Sequence, residues 1–428
     1  MKQIMKQGWT VMTAILLTTA ITVTACTQNK NNATTDAEQT EVTQDELEAL
    51  AKALPKYGYV NNFHEGLAAV CDNETELWGF IDKMGNEVIP CKYQYIPCEF
   101  EGGVAIVCNP DGTRQIIDRE GNVVAPFDYV YTGSGFCDGL IAFVKVNEMD
   151  GDEIDWAHFG KVGFIDTTGK VVIPADKFDV MMGEGPIIPD FSEGLCRQFD
   201  PENNSTKFFD KTGKVIFEVK GSADDFHEGL VAVGKDISES EDDYMWRIGF
   251  VDKTGFETIP FIFNSVGQFS EDLCWAQTDN TCGFINKNGK FELTGDWKTL
   301  VLYEDTEGQE DLSPTFSEGL AWVCNQDGKF GYIDKTGKVV IPFRYEPGYE
   351  ENDEWYTQQP CYDFHNGIAR VWDKATEKYG YIDREGKEVF SCQFTEAEDM
   401  SEGLARVRRN DNYGFIDAKG NCTLDIAQ

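Results

Sequence analysis

Between Phe316 and Pro342 the chain reads FSEGLAWVCNQDGKFGYIDKTGKVVIP, and degenerate copies of this stretch recur nine times. Repetition at this period constrains the fold more than any other feature, because every copy must obey the same local physics. The first half, Phe-x-Glu-Gly-Leu-Ala-x-Val, places a Gly at a turn needing positive φ before an apolar strand begins. In the second half Asp334 and Gly337 flank two turn residues, the choices expected at the first and fourth positions of a type I turn. The apolar residues on either side then pair as a hairpin. Pro342 ends the return strand, since it has no N–H to give a ladder. Each copy therefore supplies about three short antiparallel strands.

A unit this small buries too little apolar surface to fold alone, so neighbouring copies must complete its core. Tyr332-Ile333 and Val339-Val340-Ile341 are runs of consecutive apolar residues. Successive side chains of a strand point to opposite faces, so both faces of each small sheet are expected to be covered. The sheets should stack face to face.

The turn pairs are Asp82/Gly85, Asp118/Gly121, Asp166/Gly169, Asp252/Gly255, Asp334/Gly337, Asp383/Gly386 and Asp417/Gly420, with weaker copies at 210 and 286. They read as structural turn residues. The sixth copy departs furthest: Asp272 stands where Gly is expected, and Asn286 where Asp is. Spacing varies through insertions at 147–160, 234–247, 295–315 and 346–361, mostly acidic. Variable loops on a regular scaffold are where binding specificity usually resides. The fold read from this is all-β, nine three-stranded antiparallel units over 56–428. Nine exceeds the four to eight blades usual for closed propellers. An open, superhelical, solenoid-like stack is therefore the expectation, with a closed propeller-like ring as the alternative.

The N-terminal segment is of another kind. Residues 1–25 carry Lys2 and Lys6 before an apolar run, Val11 to Val23, too short for a convincing membrane span. Residues 26–43 are polar and read as a flexible tether. Thr43-Gln44-Asp45-Glu46 forms a capping box opening a short helix over 44–55, with Leu47, Leu50, Ala51 and Leu54 on one side and Pro55 as its stop.

Two resemblances follow from these residues. Val23-Thr24-Ala25-Cys26 resembles the lipobox of bacterial lipoproteins, which implies lipidation of Cys26 and a membrane attachment through that lipid. Thr27 in place of Asp after the Cys implies the outer membrane, by the rule of enteric bacteria. The repeats resemble the WG-repeat family over roughly 60 to 424, although the Trp-Gly pair survives literally only at Trp78-Gly79. That resemblance implies a β-rich module of bacterial surface and secreted proteins, and it brings no catalytic residues.

The formal net charge of −38 argues against nucleic acid, whose phosphates need Lys and Arg. Cys71, Cys108 and Cys324 follow the same repeat Val, and Cys196 and Cys274 replace the same Ala, so of the 13 cysteines the twelve besides Cys26 read mostly as small, free, buried thiols rather than disulfides. No Cys-x-x-Cys pair suggests zinc. His64, His227 and His365 occupy one repeat position and read as surface turn residues, while His158 lies in an acidic insertion. The run Asp150 to Asp155 lacks the spacing of a Ca²⁺ loop. Paired carboxylates for glycoside hydrolysis are too plentiful to single out. Trp156, Trp297, Trp355 and Tyr356 are the binding candidates, suited either to gripping a glycan or protein or to packing the insertions down. No cofactor, metal or catalytic residue is assigned. The expectation is a non-enzymatic envelope lipoprotein that binds a protein or glycan. A glycan-directed envelope hydrolase and a Ca²⁺-dependent adhesion module are the alternatives.

Overall fold

The structure, a computed structural model, describes residues 41–129, 135–145, 161–179, 181–182, 186–187, 190–238, 245–298, 300–301, 311–349 and 357–426. Among these are nine small antiparallel sheets, each built from consecutive segments of chain. They span 57–93, 101–126, 137–179, 191–220, 222–263, 265–294, 297–345, 361–394 and 396–416, and are numbered here as blades 1 to 9. Strand order within a blade follows the sequence, from an inner strand through the second and third to an outer strand. Blade 1, for example, runs Tyr57–His64, Leu67–Asp72, Trp78–Asp82 and Glu87–Tyr93. Six of the nine sheets have four strands where three were expected, because the segment leading into the Glu-Gly turn pairs as an inner strand. Outer strands are the most exposed: in Glu257–Phe263 only Ile259 and Phe263 are buried.

The core is divided. Nine apolar clusters form, one at each junction between blades. Both faces of every sheet are therefore covered, as the consecutive apolar residues require. The clusters include one between the last blade and the first, where Phe63 meets Phe415 with ring centroids 5.0 Å apart. Ser401 of blade 9 donates to the Phe63 carbonyl at 2.6 Å, as Ser270 and Ser317 donate to Phe316 and Phe364 of the following blade. The nine units thus close as a ring. The open stack expected from blade number is corrected: blade 9 offers blade 1 an apolar face and the kinds of hydrogen bond that blades 6 and 7 offer their neighbours, so the ring closes.

The last blade has three strands, Glu396–Ala397, Ala405–Arg409 and Asn412–Ile416. Where the others have an outer strand, Cys422 forms a β-bridge with Ile416 and the 3₁₀ turn Thr423–Asp425 follows, with helix α1 (Gln44–Ala53) packed against that turn. Thr43 and Glu46 form the reciprocal capping box, and Leu47 and Leu50 are buried.

The turn glycines need a correction. The sequence reading gave them a turn role alone, yet most of them are also packing positions, set against the outer strand of the preceding blade. A Cβ on Gly121 would come 3.3 Å from Ile89, and one on Gly386 2.9 Å from Ile341. One on Gly169 would strike the Ala125 side chain, and one on Gly255 would come 2.7 Å from the Phe217 ring. Gly337 and Gly420 are the exceptions: their nearest neighbours, Leu293 and Val389, are 3.7 and 3.9 Å away, so only their φ values of 80° and 94° ask for glycine. At Gly85 of blade 1 the neighbour is Ala53 of the helix. The helix thus does more than cover the first repeat: it supplies the outer layer of the ninth and seals the ring.

Candidate functional site

A four-strand meander puts its first and third turns on one face and its other connections on the opposite face. The first of these turns carries Glu-Gly and the second Asp-x-x-Gly, so all the constant-length turns share one face of the ring, the turn face.

The Glu-Gly turn is tighter than the sequence suggested. Not only Gly66 (φ 83°) but also Glu65 (φ 51°) is left-handed, and Glu193, Glu228, Glu271, Glu318 and Glu402 repeat this. Two positive φ values are the signature of a type I′ hairpin, and a non-Gly residue there costs roughly 1–2 kcal/mol. The strain fixes the direction of the carboxylate. Glu65 accepts from the Gly102 and Gly103 N–H groups of the next blade at 2.8 Å. Glu193 accepts from Gly229, Glu228 from Asp272, Glu271 from Gly319 and Glu318 from Gly367, in each case the following blade. Glu402 of blade 9 closes the circle onto Gly66 of blade 1 at 3.0 Å.

A lysine next to the turn Asp of the following blade completes several of these junctions. Lys253 donates to the Glu193 carbonyl at 2.8 Å and pairs with its carboxylate at 3.0 Å. Lys335 does the same to Glu271, and Lys83 to Glu402. The exceptions support the pairing. Gly102 replaces the acid in blade 2, and the base of blade 3 is then Thr167; Asn366 replaces it in blade 8, and the base of blade 9 is then Ala418. Acid and base are lost together. That coincidence was present in the sequence and is the signal by which these residues could have been found.

The turn aspartates assigned from sequence are structural, and they hold their turns from within. Gly337 N–H donates to the Asp334 carbonyl at 2.9 Å, and Asp334 Oδ1 accepts from the Thr336 and Lys338 N–H groups and the Thr336 hydroxyl. Gly85, Gly121, Gly169, Gly255 and Gly386 close onto Asp82, Asp118, Asp166, Asp252 and Asp383 in the same way at 2.9–3.0 Å. The bond from Gly420 to Asp417 is longer, 3.4 Å, and here the Asp is itself buried and fastened by both the N–H and the side-chain amide of Asn421. The Thr336 hydroxyl holds the Asp334 carboxyl below its ordinary range, as Thr254 does for Asp252. An open depression of about 890 Å³ lies on this face, lined by Glu193, Glu228, Lys253, Glu271, Asp272 and Lys287. Its acids and bases are engaged with one another: Lys287 bridges Glu228 at 3.2 Å and Asp272 at 2.7 Å.

The opposite face carries the variation. The 147–160 and 234–247 insertions join second to third strands in blades 3 and 5, and 346–361 leaves blade 7 for blade 8. The 295–315 insertion opens within the inner strand of blade 7, after Lys298, whose partner Cys324 lies toward that same end. Two-stranded ribbons at 348–349/357–358 and 300–301/311–312 stand in the last two.

Of the binding candidates, Trp297 is buried, packed on Trp275 and Phe284 with its carbonyl accepting from Cys282 Sγ, so it serves the packing role. Trp156, Trp355 and Tyr356 lie outside the described residues, as do Cys26, His158 and the 150–155 acidic run. The three repeat histidines are half-buried at blade junctions rather than on the open surface. His64 Nε2 lies 3.1 Å from Glu99 of the next blade, and burial lowers the His227 pKa despite nearby Asp225. Among the described residues eleven cysteines are free thiols, and burial pushes Cys98 up to about 12. No group of three or more His, Cys, Asp or Glu among them is placed to hold a metal ion, and no helix is long and apolar enough to cross a membrane.

Two further arginines escaped the sequence reading. Arg370 stacks on Tyr362 (3.8 Å to the ring centroid) and pairs with Asp399 of blade 9. Arg406 lies between Tyr59 and Tyr413 and bonds Glu396 and Glu398. They brace the two junctions on either side of blade 9.

Nine blades of three or four strands, closed in a ring with inter-blade turn contacts, define a β-propeller. The repeats themselves match the family described as WG containing repeat in six segments, 54–75, 78–112, 163–197, 248–282, 330–346 and 379–413, so repeats of that kind recur across the chain. No curated protein matches it. Among solved structures it is similar to the computationally designed protein Ika8 (13% identity, 74% of this chain and 94% of that one, TM-score 0.38). It is also similar to BamB from Moraxella catarrhalis (11%, 83% and 95%, 0.34) and to AztD from Citrobacter koseri (15%, 67% and 90%, 0.28). At these scores the likenesses are partial, and none indicates a ligand for this chain.

Proposed function

We propose that this chain is a binding module of the bacterial cell envelope, held by a lipid on Cys26, which offers its insertion-bearing face to a protein or glycan partner. The observation that carries the reading is the division of labour between the two faces. Turns on one face have constant length, and their side chains bond blade to blade. The strand ends from which all four variable segments depart lie toward the other, where length and composition are free to follow a ligand. The acidic groups of the turn-face depression are tied to backbone N–H groups and lysines, an arrangement suited to holding blades together.

The test is binding by the full chain and by a variant whose 295–315 and 346–361 insertions are cut to short Gly-Ser links, against glycan arrays and by cross-linking in the native envelope. The expected result is a ligand retained by the full chain and lost by the shortened one, with unchanged thermal unfolding. Equal binding by both would move the site off this face. Turnover of a glycan by the full chain would replace the reading with that of a hydrolase.

A further inference from the structure

The Asp-x-x-Gly turns form the outer rim of the turn face, and their composition opposes that of the whole molecule. The nine five-residue turns, Asp or Asn through the residue after Gly, hold 13 of the 37 Lys and Arg but only 10 of the 75 Asp and Glu. In a protein of net charge −38 these turns taken alone are net positive, although Lys83, Lys253, Lys287 and Lys335 pair with acids of the Glu-Gly turns. Lys170, Lys214, Lys290, Lys338 and Lys387 follow the turn Gly and are all exposed. The acidic Glu-Gly turns of the same face lie nearer the axis, with their carboxylates bonded to the neighbouring blade.

Beside these lysines stand exposed apolar side chains with no packing role in the ring. Val123 is 58% exposed, Val215 47% and Phe256 70%, with Val124, Val171 and Ile216 next to them. Most of the exposed large hydrophobic residues among those described fall in these turns or in the two strand positions that follow. Lys beside Val, Ile or Phe on a convex rim is the composition of a surface that meets an anionic bilayer: the apolar groups enter the headgroup boundary and the cations meet lipid phosphates.

The chain's own route points the same way. Its described part begins at Glu41, whose carboxylate pairs with Lys419 at 3.3 Å, and Lys419 lies in the rim turn of blade 9. Cys26 precedes Glu41 by only 15 residues. A coil of that length has an r.m.s. span of about 20 Å, less than the width of a domain. A lipid on Cys26 therefore holds the rim, rather than the insertion face, close to the membrane.

We infer that the rim of Asp-x-x-Gly turns is a membrane-docking surface for anionic phospholipid, which turns the insertion face away from the bilayer. This rests on the reading of Cys26 as lipid-bearing.

Two methionines of nearly equal exposure provide the test: Met84 (47%) in the rim turn of blade 1 and Met245 (45%) at the insertion face of blade 5. Their peroxide oxidation rates are compared, with and without vesicles of phosphatidylcholine containing a minority of phosphatidylglycerol, for the full chain and for Cys26→Ala. Acyl mass on Cys26 is read separately. The expected result is several-fold protection of Met84 on adding vesicles, no change at Met245, and loss of that protection from Cys26→Ala when Phe256→Glu and Val215→Glu are added. Protection of Met84 in Cys26→Ala without any acyl group on the native chain removes the lipoprotein reading and keeps the docking rim. Equal behaviour of the two methionines in an acylated chain overturns the rim while leaving the anchor, and absence of both acyl group and protection overturns both.

Discussion

Ring closure can be measured by a pair of substitutions that are geometrically alike and topologically different. Glu271 lies at an internal junction and Glu402 at the junction between last blade and first. Each takes a Gly N–H of the next blade on both carboxylate oxygens, at 3.2 and 3.0 Å for Glu271 and 3.3 and 3.0 Å for Glu402. Each pairs with a lysine, at 3.1 and 3.5 Å respectively. Replacement by Ala removes the carboxylate but keeps the left-handed residue, so backbone strain is unchanged and only the inter-blade bonds are lost. A hydrogen bond to a charged group contributes about 1.5–3 kcal/mol, and the lysine pair, part-exposed, adds less than about 1 kcal/mol. Each variant should therefore lose about 2–3 kcal/mol in equilibrium urea unfolding, with an unchanged m-value. Asn366→Ala, at a junction that has lost both acid and base, should lose far less. In a ring the two Glu variants match. If Glu271→Ala is destabilised and Glu402→Ala is not, blades 9 and 1 do not meet and the closed ring is wrong.

Other consequences follow from the same geometry. Gly386→Ala should cost about 2–4 kcal/mol, since it combines a left-handed φ of 78° with a Cβ 2.9 Å from Ile341, whereas Gly139→Ala, at the same φ with open space, should cost only about 1 kcal/mol; equal losses would show that the close approach is unimportant. Leu50→Ala, in the fully buried face of α1, should lower stability by about 2–5 kcal/mol in the same assay, and no loss would make the helix peripheral to the ring. Asp363 gives a pH dependence: burial pushes its carboxyl up to about 6, against the help of the Thr315 hydroxyl at 2.6 Å and with His365 and Asp399 nearby. Because the folded pKa exceeds the unfolded one, native Asp363 holds its proton longer, and its contribution to stability falls as pH rises from about 4 through 6. Asp363→Asn should flatten the stability profile over that window, and an unaltered profile would place the titration elsewhere.

Most of the scaffold was legible in the sequence because it is written nine times. The Asp-x-x-Gly turn and the doubly apolar strands are local consequences of φ, hydrogen bonding and side-chain alternation, and the structure returns them; Pro342 does not end the outer strand, which runs on to Tyr345 past a register shift, because an edge strand tolerates a missing N–H at a bulge. What one repeat could not state is why Gly169 or Gly255 must lack a side chain, since Ala125 and Phe217 belong to the blade before. Closure was not legible either, since it depends on the angle between successive blades. Its traces were nevertheless in the chain. Blade 9 has no outer strand, and α1 sets the small side chain of Ala53 and the backbone of Ala49 against Gly85. The helix therefore had to be small-faced on one side and leucine-rich on the other, a pattern that makes sense only if the two ends of the chain meet.

The carboxylate at Glu65 and its equivalents was missed for a different reason. Read one repeat at a time, Glu before Gly is an ordinary turn residue, and its positive φ even looks like a defect. Read across repeats, its absence at Gly102 and Asn366 coincides with the absence of a base at Thr167 and Ala418. Two residues that vanish together twice, one repeat apart, are spending their charge on each other across a junction. What such coupling constrains is the turn face, and what it leaves unconstrained is the face carrying the insertions. The same division explains why the binding candidates were hard to rank. Trp297 obeys the repeat and was drawn into its core, whereas a ligand-facing residue of an insertion obeys no repeat and has no second copy against which to be read.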